Sequence, residues 1–405
     1  MLRRASTSIT TAILAALMTI SATSSPALAA STPNCGDTIT TNVTLTADLH
    51  CSGDGLIIGA HGVTIDLNQH EISGTGTGNG VSAVEYNGLT IRDGTISGFE
   101  TGIFLESAED ATVRNMSLLR NGDPTRYQTG GLYANIASNL TVSGGTIVAP
   151  PATRSLVVEA SNGVTVSGVD VTGPVGLSMM TENSVLTRNV FRDGRVGLSE
   201  TYTSTRIENN RFIRSGIGMS EANKVSITGN HFTGSPIRIV ISDEIEIRGN
   251  TFRDGEFGVA IGTTAPDVNI TGNVFANNRY GIHVKAYYFA ENEGLTVTRN
   301  TFVDNANAGL FIEATGVSTG TRASVTDNFF MANGFASTDT DAAGRPINDG
   351  LHINIPTGSL PTIARNHTIA NADFGIEALP PGSVQDGGGN TSTGNPNGCA
   401  GVVCR

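Results

Sequence analysis

The sequence predicts an all-β solenoid of the single-stranded parallel β-helix kind, with about 13 coils and disulfide-stapled ends. Three observations carry that expectation. One phrase recurs between Asn189 and Asn366: an aliphatic residue, two mostly polar residues, Asn, any residue, then usually Phe. Its copies run Leu186/Asn189/Phe191, Ile207/Asn210/Phe212, Ile227/Asn230/Phe232, Ile247/Asn250/Phe252, Ile270/Asn273/Phe275, Val297/Asn300/Phe302 and Val325/Asn328/Phe330, with Ile363/Asn366/Thr368 degenerate. Successive Asn lie 21, 20, 20, 23, 27, 28 and 38 residues apart, which fits one turn of a parallel β-helix with occasional loop insertions. Secondly, short Gly-led segments alternate in period two, as strands do: Gly102–Leu105, Gly131–Ala134, Gly281–Val284, Gly309–Ile312 and Gly350–Ile353. Thirdly, 50 Gly among only 15% charged residues suit tight turns between short strands.

In chain order, residues 1–29 carry Arg3 and Arg4, an apolar run from Ile13 to Ile20, and Ala27, Leu28 and Ala29. This pattern is expected of a cleaved secretory signal peptide, for general export rather than the twin-arginine route. Residues 30–61 are assigned to an N-terminal cap, 62–395 to the coils and 396–405 to a C-terminal tail. About 13 coils at ~4.8 Å separate the ends by roughly 60 Å, far beyond the ~7 Å a disulfide spans. Cys35 therefore pairs with Cys51, and Cys399 with Cys404. A formal net charge of -12 argues against nucleic acid as a partner, and no later apolar run reaches the ~20 residues of a membrane helix. The mature chain is expected to be a secreted monomer that does not insert into membranes.

Within a coil, aliphatic residues point inward and the residue between them outward. The Asn column reads as a structural ladder at a tight turn. Asn115, Asn139 and Asn269 stand in glycosylation-type sequons, which a chain rich in Asn and Thr produces by chance. The outward column is read as Phe104, Tyr133, Val157, Ser178, Ser199, Ser220, Arg238, Ala260, His283, Phe311, His352 and Glu377, with a notch at Ala260. Two residues further along the same strands come Lys285, Glu313 and Asn354.

Together with the opening run Val63–Gly74, these features give the chain a resemblance to the right-handed parallel β-helix repeat proteins of the pectate-lyase-like superfamily, across residues 35–395. The resemblance implies an exported protein from a group that includes polysaccharide lyases, glycoside hydrolases, mannuronan epimerases, phage tail spikes and an accessory protein of nitrous-oxide reductase maturation. It does not choose among them. No two Asp are adjacent, so the paired aspartates of polygalacturonases are missing. Asp123, Pro124, Thr125 and Arg126 echo the epimerase pattern without its histidine. The glycine-rich calcium nonapeptide is absent, as is any Met, His or Cys cluster for copper.

The expected function is binding, with processing, of an extracellular polysaccharide along the C-terminal outer face. On a uronic-acid polymer, Arg238 or Lys285 would neutralise the carboxylate while His283 or His352 removes the adjacent ring proton, giving lyase or epimerase chemistry. Phe311, Glu313, Asn354, Glu377, Tyr287 and Tyr288 would bind sugar. Asp339, Asp341 and Asp349, in the long excursion 331–349, would orient hydroxyls or hold Ca2+; no cofactor or metal is otherwise expected. The bland reading makes Lys285 and Glu313 an exposed cross-strand ion pair and the column a passive surface. In that alternative the protein is a non-catalytic surface or adhesion solenoid. A metal-handling accessory role stands third.

Overall fold

Three short strands per coil, each ended by a residue in the left-handed region, give the chain its course. The computed structural model describes residues 32–262, 265–288, 293–316, 323–358 and 360–405, without the side chains of 286–288, 315 and 316. The signal-peptide assignment for residues 1–29 lies outside them. One coil illustrates the rest: strands Val185–Thr187, Val190–Arg192 and Arg195–Thr201, with corners at Arg188 (φ 55), Asp193 (φ 51) and Glu200 (φ 54). Each strand pairs in parallel with its counterpart one coil on, as in Val185↔Arg206, Val190↔Arg211 and Val196↔Ile217. The result is an all-β right-handed parallel solenoid of about 15 turns. That exceeds the expected number because the first coils, such as Thr64–Asp66 with Glu71–Ser73, lack the Asn-x-Phe phrase.

The core is a stack of columns. Phe191, Phe212, Phe232, Phe252, Phe275, Phe302 and Phe330 lie with neighbouring ring centroids 4.5–5.0 Å apart and planes within 21°. Offset stacking of this kind adds to the apolar burial of each ring. The Gly column 281–309–350 is set by the closeness of successive coils, since a Cβ on any of these would meet a carbonyl oxygen of the next coil at 2.4–2.8 Å.

The Asn column is a ladder. Each buried Asn receives the backbone N–H of the Asn before it and donates Nδ2 both to the next Asn and back to a carbonyl. Asn230, for example, donates to Asn250 Oδ1 at 3.0 Å and to Ile207 O at 2.8 Å. The run continues past Asn366 to Asn390. A second ladder, not anticipated from the sequence, stands at the next corner: Asn278, Asn305, Asn333, Asn371 and Asn395. Each follows its first-ladder counterpart by five residues, a spacing visible in the sequence once the first ladder is known.

Both bridges form as expected, Cys35–Cys51 with Cα atoms 5.5 Å apart and Cys399–Cys404 with Cα atoms 6.0 Å apart. Among the described residues no helix is long and apolar enough to cross a membrane.

Cutting either ladder exposes several buried polar groups at once, and an unmade buried hydrogen bond costs about 1–3 kcal/mol. Asn250→Ala and Asn305→Ala should therefore each destabilise by about 3 kcal/mol in denaturant titrations, comparable to Phe252→Ala. An unchanged midpoint for Asn305→Ala would remove the second ladder from the account of stability.

Candidate functional site

The outward column of the sheet built from the Gly-led strands holds the sequence-selected residues in line. Arg238 pairs with Ala260, Ala260 with His283, His283 with Phe311, Phe311 with His352, and His352 with Glu377. His283 and Phe311 stack at 5.0 Å with planes 12° apart, and His352 meets the Phe311 ring edge-on at 5.4 Å. Lys285, Glu313 and Asn354 fall in register two residues along. The expected alignment is therefore present.

Its exposure is not as expected. Residues 334–349 fold back as a strap over the last coils. Ile347 of the strap packs with Tyr280, Ala308 and Phe311 in a small apolar cluster separate from the solenoid core. Phe311 and Glu377 are buried and His352 has no exposed surface at all. The reason is that the excursion expected to orient hydroxyls or hold Ca2+ instead carries its own polar anchors. Asp339 accepts from Arg279 at 2.6 Å, from Asn307 at 2.7 Å and from the Tyr280 hydroxyl. Asp341 accepts from Arg345 at 2.6 Å, and buried Glu313 accepts the Ala342 backbone N–H at 2.8 Å.

His352 is the centre of this arrangement. Its Nδ1 lies 2.6 Å from Asp349 and 3.0 Å from Glu377, and its Nε2 lies 3.2 Å from Asp341. Burial alone would depress the imidazole, but hydrogen bonds to Asp349 and Glu377 carry it up to about 9. Burial also pushes Asp349 up, to about 6, against the pull of His352. Both ring nitrogens have acceptors, which is the arrangement of an imidazolium. Asp349, His352 and Glu377 have ligand atoms within 4.8 Å of one another, as a metal site would. The imidazolium supplies the positive charge there, and Asp339 and Asp341 are tied to arginines. These are strap anchors.

His283 is different. It is half-buried, its Nε2 has no hydrogen-bond partner, and burial, aided by Lys285, lowers its pKa to about 4. It is therefore neutral at pH 7, with a ring nitrogen that is enclosed and unpaired. The expected notch at Ala260 is filled by Phe257, whose ring stacks on His283 at 5.3 Å and lies under the Arg238 guanidinium at 5.2 Å. Arg238 itself is an exposed partner of Glu256 at 3.2 Å. The side chains of Tyr287 and Tyr288 lie outside the described residues.

Upstream, the column needs correction. The residues in register between Val157 and Arg238 are Gly176, Gly197 and Gly218, not Ser178, Ser199 and Ser220, which stand two positions further along each strand. The sequence reading slipped there because these coils lack the Gly-led phrase that set its register. The side chain at the column vanishes for three coils, and a groove of about 460 Å³ opens along Tyr127, Arg154, Arg195, Gly176 and Gly197.

Two family models match the chain: "Right handed beta helix region" over residues 33–191, and "Periplasmic copper-binding protein (NosD)" over 121–287 and 237–343. Together with the solenoid they settle the family. The chain is a right-handed parallel β-helix repeat protein of the NosD family, whose model spans more than half of it. No curated protein matches this β-helix protein. Solved structures similar to it include an alginate lyase in complex with G6 (13% identity, 89% of this chain and 79% of that one, TM-score 0.44). Others are the catalytic unit of a thermostable α-1,3-glucanase from Streptomyces thermodiastaticus strain HF3-3 (12%, 82% and 64%, TM-score 0.48) and a periplasmic alginate epimerase mutant (9%, 92% and 79%, TM-score 0.37). The second family model names copper. The donors of this β-helix protein do not suit it: all four Cys are in disulfides, and its one candidate cluster among the described residues sets a single imidazole among carboxylates.

A histidine whose folded pKa is raised contributes stability that is complete below its unfolded value of 6.5 and lost as pH rises through about 9. His352→Gln should cost about 3 kcal/mol near neutrality, as removal of one partner of a buried ionic cluster does. The gap in Tm between wild type and variant should then narrow as pH is raised through 9. A gap that stays constant over that window would show that His352 is not the charged anchor.

Proposed function

We propose that this is an exported β-helix protein that binds an acidic extracellular polysaccharide along the outer face of the sheet carrying His283, lying parallel to the solenoid axis. One observation carries the reading: a single column in register from coil to coil offers the half-buried Phe104 ring, a glycine gap, the exposed Arg238 and the half-buried His283, with Tyr133 and Val157 buried between the first of these and the gap. Rungs ~4.8 Å apart match an extended polymer better than a compact ligand. Aromatic rings supply faces for sugar rings and the arginines supply charge for carboxylates. Both disulfides support an oxidising, extracytoplasmic location.

If the protein also processes the polymer, His283 is the base. It is neutral and half-buried, and its Nε2, unpaired but enclosed, acts as a base only once the contacts around it open to the substrate; Lys285 beside it would offset the substrate carboxylate. A base with a pKa near 4 takes a proton weakly, so the bound substrate must supply part of the driving force. His352 supports this site by holding the strap and does not need to touch sugar. The competing reading, a non-catalytic adhesion solenoid, uses the same column as contact area; it is favoured by the burial of Phe311 and His352.

The test is incubation of the mature protein with alginate, pectate and other uronans, following unsaturated-product absorbance and, for epimerisation, proton NMR of the polymer. His283→Ala should abolish turnover at least 100-fold while binding persists. Binding without any product from every uronan would leave the adhesion reading, and no binding to any polysaccharide would remove both.

A further inference from the structure

Three glycines at the outward position of consecutive coils call for a reason, because glycine weakens a strand. For most glycines in the Gly-led strands the reason is steric, a Cβ there colliding with the next coil. Gly176 and Gly197 have no such reason. A Cβ on Gly197 would come no nearer than 3.7 Å to Val175 O, and one on Gly176 no nearer than 3.4 Å, to Arg154 Nη1; neither has a positive φ. Any residue could stand at either position as far as the solenoid is concerned. What their smallness does is keep the groove open.

The groove is furnished for an anion. The Arg154 guanidinium lies over the Tyr127 ring, 3.5 Å from its centroid, and reaches across Gly176. Arg195 lies over Gly218, where a Cβ would meet its Cδ at 2.9 Å. Among the described residues neither arginine has a carboxylate partner, whereas the neighbouring Arg192 and Arg214 pair with Asp170 and Asp193. A separate observation points to a ligand: Ser178, on the groove wall, is 8% exposed and its hydroxyl is enclosed without a hydrogen-bond partner, as is Oε1 of Glu159 in register with it on the preceding coil. A buried hydroxyl left unpaired is costly unless something visits it.

We infer that the groove along Gly176 and Gly197 is a binding subsite for a carboxylate-bearing sugar, with Arg154 and Arg195 taking the carboxylate, Ser178 a hydroxyl and Tyr127 the edge of the ring. The glycines let the pyranose lie against bare backbone, and this is the specificity device. The inference rests on the polysaccharide reading but places the grip about four coils upstream of His283.

The experiment is calorimetric titration of the mature protein with tetra- to hexameric oligogalacturonate and oligomannuronate, with a neutral oligoglucan of equal length as control. Wild type should bind an acidic oligomer and not the neutral one. Gly197→Val, which fills the groove at a position with room for a side chain, should weaken binding at least tenfold with Tm unchanged or raised, and Arg154→Gln should do the same. Arg365→Gln, which removes an exposed arginine that pairs with Asp327 away from the groove, should leave affinity within twofold. Acidic-oligomer binding that survives Gly197→Val and Arg154→Gln overturns the subsite while leaving the polysaccharide reading intact. Equal binding of the neutral oligomer overturns the carboxylate assignment. No binding of any oligomer by wild type overturns both readings.

Discussion

The carboxamide-to-carboxamide contact between consecutive coils is the constraint from which the rest follows. An Asn at a corner can receive the preceding backbone N–H and donate to the next Asn only if successive coils superimpose at that point. Two such ladders, through Asn210–Asn230–Asn250 and Asn278–Asn305–Asn333, fix two of the three corners. With the corners fixed, the Phe rings stack and the strands stay in register even where consecutive ladder members, Asn328 and Asn366, lie 38 positions apart. Insertions are tolerated because they leave and rejoin the coil between fixed points, which is how the strap arises.

The same regularity organises the outer face. Side chains one coil apart are neighbours whatever their separation in sequence, so His283, Phe311 and His352 meet although 69 residues of chain number separate the first and last. Along this face the chemistry divides into an open, glycine-floored half and a closed half beneath the strap. In the closed half Asp339, Asp341 and Asp349 all have partners, while the enclosed His283 Nε2 and Asn348 Oδ1 do not. In the open half Arg154 and Arg195 have no carboxylate partner among the described residues and the Ser178 hydroxyl has no hydrogen-bond partner, and the proposed subsite lies there.

Much of this was legible in the sequence, for reasons that can be named. The Asn-x-Phe spacing gave the solenoid, the elongation forced both cysteine pairings, and period-two alternation set the line through His283, Phe311 and His352. The burial of that line was not legible, because it depends on where 334–349 returns, and a loop's return path is set by distant partners such as Arg279 and Asn307 for Asp339. The register through Gly176, Gly197 and Gly218 was missed for a different reason: residues 154–220 offer glycines and serines at alternate positions, and nothing local says which belongs to the column.

The stapled ends have a mechanical consequence. A coil touches only the coils on either side, so a pull on the two termini would unwind the molecule one turn at a time, like thread leaving a spool. Cys35–Cys51 closes 16 residues and Cys399–Cys404 closes 5, and those stretches cannot lengthen under load. Unspooling would have to start at the first turn beyond each covalent closure, where strand pairings resist it and, at the C-terminal end, both asparagine ladders do so as well. Such a build suits a protein that remains attached to a polymer while the surroundings move.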